Sequence, residues 1–240
     1  MNPSTRVVVC AWNGKQYPAN LPGMLPLWTQ HQCPVTIFSP EDAPLWIEQP
    51  GVGSRLTGKQ AWVGEVGIAR VRIQLEALLT YPEKFFFFTD ADAFCLTPEF
   101  PQYLYRDADT FWVNLYEDHF EHQAPWYPPG CPKLAFMTPL FFSRKTVAFL
   151  LEGMKQVPMN PRLPYADNNL MEIAWRFGYP YAGFEGRCSI ASSPDGMLAM
   201  IGGVRREGLT FIHSIKTTSQ ADQILAARQD FLHNPPRFRH

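Results

Sequence analysis

Residues 85–94 read FFFFTDADAF. An unbroken apolar run of this length reads as a short strand covered on both faces, the situation of a central strand in a parallel sheet with helices above and below. At its C-terminal end it delivers two carboxylates, Asp90 and Asp92, separated by one residue. In open α/β sheets ligands bind outside the carboxyl ends of the strands. Residues i and i+2 of an extended chain point the same way, so this spacing predicts that Asp90 and Asp92 face one site together. Carboxylates that close repel each other unless a cation compensates them. Their oxygens suit Mg²⁺ or Mn²⁺, which in turn hold phosphate oxygens. An Asp-x-Asp triplet is common, and after a strand it is often only a turn or a helix cap. What distinguishes this one is the dry strand in front of it.

Outward from that strand, the pattern alternates strand and helix. Upstream, 63–81 reads as the strongest helix: Val66, Ala69, Ile73, Ala77 and Leu78 fall at helical spacing and Pro82 stops it. Residues 6–12 read as a buried first strand ending in Asn13-Gly14, and 35–38 as a second strand. A short helix fits between them, within 15–34. Residues 41–59, with Pro44, Pro50 and several glycines, read as loop. Downstream, strands are expected at 110–115, 134–142 and 209–212, and helices at 145–154, 167–177 and 221–232. Residues 116–133 read as a loop rich in aromatics and proline. The expected class is α/β: a single Rossmann-like domain over residues 1–240, with a mostly parallel sheet flanked by helices. No internal repeat or low-complexity tract interrupts it.

Bulk composition narrows the function classes. Hydrophobic residues make up 46% of the chain, enough for a sizeable core and too many for disorder. The formal net charge of −1 gives no basic excess for gripping nucleic acid; the only basic cluster is Arg228, Arg237 and Arg239 near the end. Five cysteines, at 10, 33, 95, 131 and 188, form no C-x-x-C pair, which argues against structural zinc and a disulfide framework. Cys10 and Cys95 sit in apolar runs and read as small buried hydrophobes. Neither a signal-like segment nor a membrane-length apolar run is seen, so a soluble, cytoplasmic protein is expected.

With these residues in hand, the run GIARVRIQLEALLTYPEKFFFFTDADAF (67–94) resembles the donor-binding half of GT-A glycosyltransferases. It is nearest to the glycogenin and bacterial lipooligosaccharide galactosyltransferase type, where an Ala-Arg on a helix, a hydrophobic strand and Asp-x-Asp recur in this order. Ala69-Arg70 matches the first part, Asp90 and Asp92 the last. The resemblance implies a GT-A fold and a divalent metal held by Asp90 and Asp92. It also implies a nucleoside diphosphate sugar, UDP-sugar first, near Arg70. YADNNLMEIAWRFG (165–178) is similar to the element that contacts the transferred sugar, with Asp167 and Asn168 at those positions. FIHSIKT (211–217) is similar to the His-x-x-Lys element, which implies His213 as a metal ligand and Lys216 on the diphosphate. The chain departs from the family in LAFMTPLFFS (134–143), where an Asn-x-Gly type segment is usual, so no particular acceptor carries over.

Other residues attach to this reading more loosely. The turn after the first strand approaches the nucleotide in such sheets, which makes Ala11, Trp12 and Asn13, together with Ala91, candidate donor-binding residues. Trp126 and Tyr127 are candidates for an acceptor platform. The resemblance implies retention of configuration and a hexosyltransferase; an inverting enzyme would need a base, for which Glu117, Asp118 and Glu185 are available. The acceptor stays open among glycan, protein, small molecule and modified DNA. Each residue also has a plain structural reading: Arg70 on a solvated helix face, Asp167 as a helix cap, His213 as a core histidine. Two rival functions remain. One is a haloacid-dehalogenase-like phosphatase with Asp90 as nucleophile; the other is a non-catalytic module that only binds a sugar nucleotide.

Overall fold

The computed structural model describes residues 4–11, 17–41, 51–58, 64–115, 128–132, 138–161, 168–184, 188–190, 210–213 and 217–233. Along the chain these form β1 (Thr5–Cys10), α1 (Tyr17–Thr29), β2 (Val35–Ser39), β3 (Val52–Leu56), α2 (Gly64–Leu78), β4 (Phe85–Asp90) and β5 (Phe94–Cys95). There follow α3 (Tyr103–Arg106), β6 (Phe111–Val113), β7 (Leu140–Ser143), α4 (Arg144–Gln156), α5 (Asn168–Arg176) and β8 (Tyr181–Gly183). The last elements are β9 (Cys188–Ile190), β10 (Phe211–His213) and α6 (Thr218–His233).

Seven strands make the main sheet, in the order β3-β2-β1-β4-β7-β6-β8. The first four are mutually parallel, in the 3-2-1-4 order of doubly wound nucleotide-binding sheets. Only β7 runs against its neighbours; β6 and β8 are parallel to each other. The result is the mixed α/β architecture with a mostly parallel central sheet that the sequence predicts. A smaller sheet, β5-β10-β9, stands beside the carboxyl end of β4.

The four phenylalanines explain how the layers close. Side chains alternate across a strand, so Phe85 and Phe87 join Val7 and Val9 on one face, against Trp28 of α1 and Ile224 of α6. Phe86 and Phe88 join Val8 and Cys10 on the other, against Leu75 of α2, Leu150 of α4 and Leu170 of α5. All six residues of β4 are buried. Each phenylalanine contributes roughly 1.5–3 kcal/mol by burial, so this strand anchors both layers. Below it, at the opposite edge of the sheet, the Arg6 guanidinium donates twice to Glu83 at 2.9 Å and once to Thr36 at 2.8 Å, fixing the start of β1.

Several local expectations are corrected. The segment read as loop, 41–59, contains β3, which lies at the sheet edge with a mostly exposed sequence, VGSRL, and so carries no apolar signal. Two prolines lie inside α1, yet it runs for 13 residues. Burial of Met24, Leu25, Leu27 and Trp28 offsets the helix-breaking cost of about 3 kcal/mol per proline. Of the strand expected at 134–142, residues 134–137 lie outside the described residues, and the described part, β7, begins at Leu140 after Thr138-Pro139. Two-residue β5, three-residue β8 and β9, and the single turn of α3 were too short to leave a periodic signal. The largest difference concerns α2. Val66 and Ile73, part of the apolar stripe from which the helix was read, are 46% and 41% exposed, and Ala69 is exposed with them. The buried face instead carries Gly67, Arg70, Val71, Gln74, Leu75, Ala77 and Leu78, roughly a quarter turn round the helix. Among the described residues no helix is long and apolar enough to cross a membrane.

Candidate metal centre

Asp90 is the last residue of β4, and the chain turns immediately after it. The Ala93 N–H donates to the Asp90 carbonyl at 3.1 Å, and the Thr89 hydroxyl donates to the Ala93 carbonyl at 2.6 Å. Asp90 and Asp92 therefore converge through a tight turn pinned by Thr89, and not through the alternation of an extended strand. The turn is buried throughout: Asp90 is 5% and Asp92 1% exposed.

The same turn recruits the third group. After it, β5 pairs antiparallel with β10, Phe211 against Cys95 and Ile212 against Phe94. Continuing that register by one residue sets His213 against Ala93, beside Asp92. Its Nε2 lies 3.6 Å from Asp92 Oδ1 and 3.9 Å from Asp90 Oδ2. One ligand atom from each of Asp90, Asp92 and His213 falls within 4.8 Å of the others, and all three residues are buried. Donors around an octahedral cation at roughly 2.1 Å stand between ~3.0 and ~4.2 Å apart, according to whether they are cis or trans. The two histidine–carboxylate separations lie in that span, and two carboxylates with one imidazole are a donor set that could hold a divalent cation.

A fourth residue reaches the cluster from the segment just before β7. The β4–β7 register pairs Phe85 with Ser143 and Phe88 with Leu140. Thr138 lies two residues before Leu140, past the end of that pairing and near Asp90. The Thr138 hydroxyl, with its residue fully buried, donates to Asp90 Oδ2 at 2.9 Å. Sequence reasoning missed this residue because its role depends on the register of a strand that starts two residues later.

The other predicted residues divide. Arg70 is 5% exposed, and its Nε and Nη1 have no hydrogen-bond partner among the described residues. The solvated-face reading of Arg70 is therefore overturned. It lines a cavity of about 250 Å³ with Thr57 and Gly58, just past the carboxyl end of β3, and with Glu65, Val66, Ala69 and Ile73 of its own helix. Asn168 opens α5; it is 1% exposed, and its Nδ2 also lacks a partner among the described residues. Because α2 and α5 cover the face that carries Phe86 and Phe88, Arg70, Asn168 and Asp90 share one side of the sheet. Ala11 and Ala91 are buried at the carboxyl edge, but their N–H groups are already engaged, to the Phe38 and Cys10 carbonyls. Trp12, Asn13, Asp167 and Lys216 lie outside the described residues, as do Glu117, Asp118, Trp126, Tyr127 and Glu185.

Asn114 is a further residue the sequence reading passed over. It follows β6 at the same carboxyl edge, is 8% exposed, and its Nδ2 has no partner among the described residues. The signal was there in FWVN (111–114): a polar residue closing a short apolar strand.

No protein-family model matches the chain, and no curated relative does. Among solved structures, the chain is similar to the crystal structure of a glycosyltransferase involved in the glycosylation of the major capsid of PBCV-1. The two share 12% sequence identity with a TM-score of 0.49, over 94% of this chain and 99% of that one.

Proposed function

We propose that the chain is a divalent-metal-dependent glycosyltransferase that takes a sugar from a nucleoside diphosphate donor, a UDP-sugar first among candidates, and passes it with retention to an acceptor hydroxyl. The observation that carries this reading is the convergence of Asp90, Asp92 and His213 at the carboxyl edge of the sheet, from segments more than a hundred residues apart in sequence. The sugar-nucleotide part of the reading is supported by the motif order Ala69-Arg70, Asp90-x-Asp92, Asp167-Asn168 and His213-x-x-Lys216.

In this reading Asp90, Asp92 and His213 hold Mn²⁺ or Mg²⁺. When bound, the cation supplies positive charge to the leaving diphosphate. Arg70 adds to that charge with N–H groups already stripped of water, so no reorganisation is needed when charge develops on the leaving group. Lys216, three residues after His213, is assigned the same task. Asn168, with its buried amide N–H, and Asp167 before it are assigned to the sugar hydroxyls. Asn114, across the edge from Asp90 beyond β7, offers a further donor to sugar or acceptor. The first hundred residues or so form the donor half of one domain; the remainder supplies the acceptor side and the closing histidine.

Incubation with a panel of nucleotide sugars and Mn²⁺, following release of free nucleoside diphosphate, tests the proposal. Metal-dependent release with one donor is the expected result. Hydrolysis of small phosphate esters, with no donor bound or cleaved, would overturn it in favour of the phosphatase. Tight donor binding with no turnover over a panel of acceptors would favour the binding module.

A further inference from the structure

We infer that the Thr138 hydroxyl is a positioning residue of the metal centre, holding the Asp90 carboxylate in the orientation a cation needs. This rests on the metal-dependent reading above and names a residue that the motifs do not supply.

The case is geometric. Thr138 has no exposed surface, so its hydroxyl does not exchange its partner for bulk water. That hydroxyl donates to Asp90 Oδ2 at 2.9 Å. Oδ2 is also the Asp90 oxygen from which His213 Nε2 is measured, at 3.9 Å. A carboxylate on a short side chain turns readily about its terminal bond, which is broad and roughly two-fold. A buried donor on Oδ2 restrains that rotation. The pairing of β4 with β7, Phe85 with Ser143 through Phe88 with Leu140, brings the segment just before β7 to the end of β4, where Asp90 stands. The hydroxyl thus ties that segment to the cluster. Threonine suits this place, because a branched side chain has few rotamers and its hydroxyl is held in one direction.

The test is calorimetric titration of the full chain with Mn²⁺ alone, comparing wild type, Thr138→Val and Thr138→Ser. Valine keeps the shape and removes the donor; serine keeps the donor and removes a methyl. Loss of a partner that orients a ligating carboxylate weakens metal affinity by roughly 10–100-fold, so Val binds that much more weakly while Ser stays within about threefold of wild type. At saturating Mn²⁺, nucleoside diphosphate release by Thr138→Val returns towards the wild-type rate, since the defect lies in holding the cation.

Wild-type affinity in Thr138→Val overturns the proposal, as does a Ser variant as weak as Val, which would make packing the agent. If Val does not fold, by circular dichroism and cooperative melting, Thr138→Ala replaces it with the same expectation. No Mn²⁺ binding by wild type overturns the metal-dependent reading itself. Binding by wild type with no effect of Val overturns only the role of Thr138.

Discussion

Replacing Asp92 by Asn removes one negative charge from a site in which two carboxylates and an imidazole bring their ligand atoms within 4.8 Å of one another. Asp92 is 1% exposed, so water screens that charge poorly. Two unit charges 4.8 Å apart interact by ~3.5 kcal/mol at an effective dielectric of about 20. The Thr138 hydroxyl, donating to Asp90 Oδ2, offsets part of the repulsion. The metal-free Asn variant is therefore more stable than wild type by about 1–3 kcal/mol, a difference set by the repulsion removed. For a chain of 240 residues that raises the melting temperature by roughly 2–4 °C per kcal/mol. In Mn²⁺ the order reverses. A cation at a hundredfold excess over its dissociation constant stabilises wild type by about 2.7 kcal/mol, while the variant, lacking one of three ligands, gains little. The assay is thermal unfolding of both proteins in EDTA and across a Mn²⁺ series. The signature is two curves that cross. If the Asn variant melts below wild type in EDTA, or if Mn²⁺ raises both by the same amount, the cluster is not a metal centre and the reasoning fails.

Arg70→Met keeps the length of the side chain and removes its charge; UDP affinity falls by about tenfold or more, from loss of charge-assisted hydrogen bonds, while urea stability stays level or rises. Unchanged UDP binding, followed by fluorescence, would remove Arg70 from the donor site. A Cβ added at Gly153, where α4 meets α5, runs into Ile173 Cγ2 and lies 3.5 Å from Ile173 Cβ. Gly153→Ala therefore destabilises by about 1–3 kcal/mol in urea, despite the better helix propensity of alanine, and Ile173→Leu, which lacks the β-branch, recovers part of the loss; a neutral single variant would show that the helices part freely. Burial, reinforced by Glu172, pushes the Cys131 thiol up to about 12. A folded value above the unfolded one, about 8.5, gives stabilisation that is complete below that pH and is lost as pH rises towards the folded value. Wild type thus loses more stability than Cys131→Ala between those limits in urea titrations, and parallel losses would contradict the assignment.

What the sequence disclosed depended on the range over which the physics acts. β4 was legible because four phenylalanines in a row need cover on both faces, and the structure supplies it with α1 and α6 on one side and α2, α4 and α5 on the other. α2 was legible as a helix from its period, but not in its orientation, because the stripe of Val66, Ala69 and Ile73 is turned away from the core. β3 was illegible: an edge strand with three exposed residues of five has no burial to record. Of the candidate site, the carboxylates were visible as a local motif and His213 through its family-like spacing. Thr138 and Asn114 were not, since each is placed by pairing between segments far apart in sequence.

Under the proposed function, the orientation of α2 has a physical reason. A helix that only covered a sheet would bury Val66 and Ile73, which are worth roughly 1.5–3 kcal/mol each, and would leave Arg70 in water. Here the opposite holds: Arg70 and Gln74 lie on the buried face, and Val66, Ala69 and Ile73 line the cavity that Arg70 shares with Thr57 and Gly58. A buried guanidinium whose Nε and Nη1 have no partner among the described residues costs several kcal/mol unless something anionic meets it. Two unfavourable choices on one helix, each breaking the local rule, mark a functional position. They become consistent once the cavity is a ligand site, because such sites combine apolar walls with a few aimed polar groups. The apolar stripe that suggested the helix is then part of a pocket wall. On the proposed reading, the residue that broke the stripe is the one that would meet the charge of the ligand.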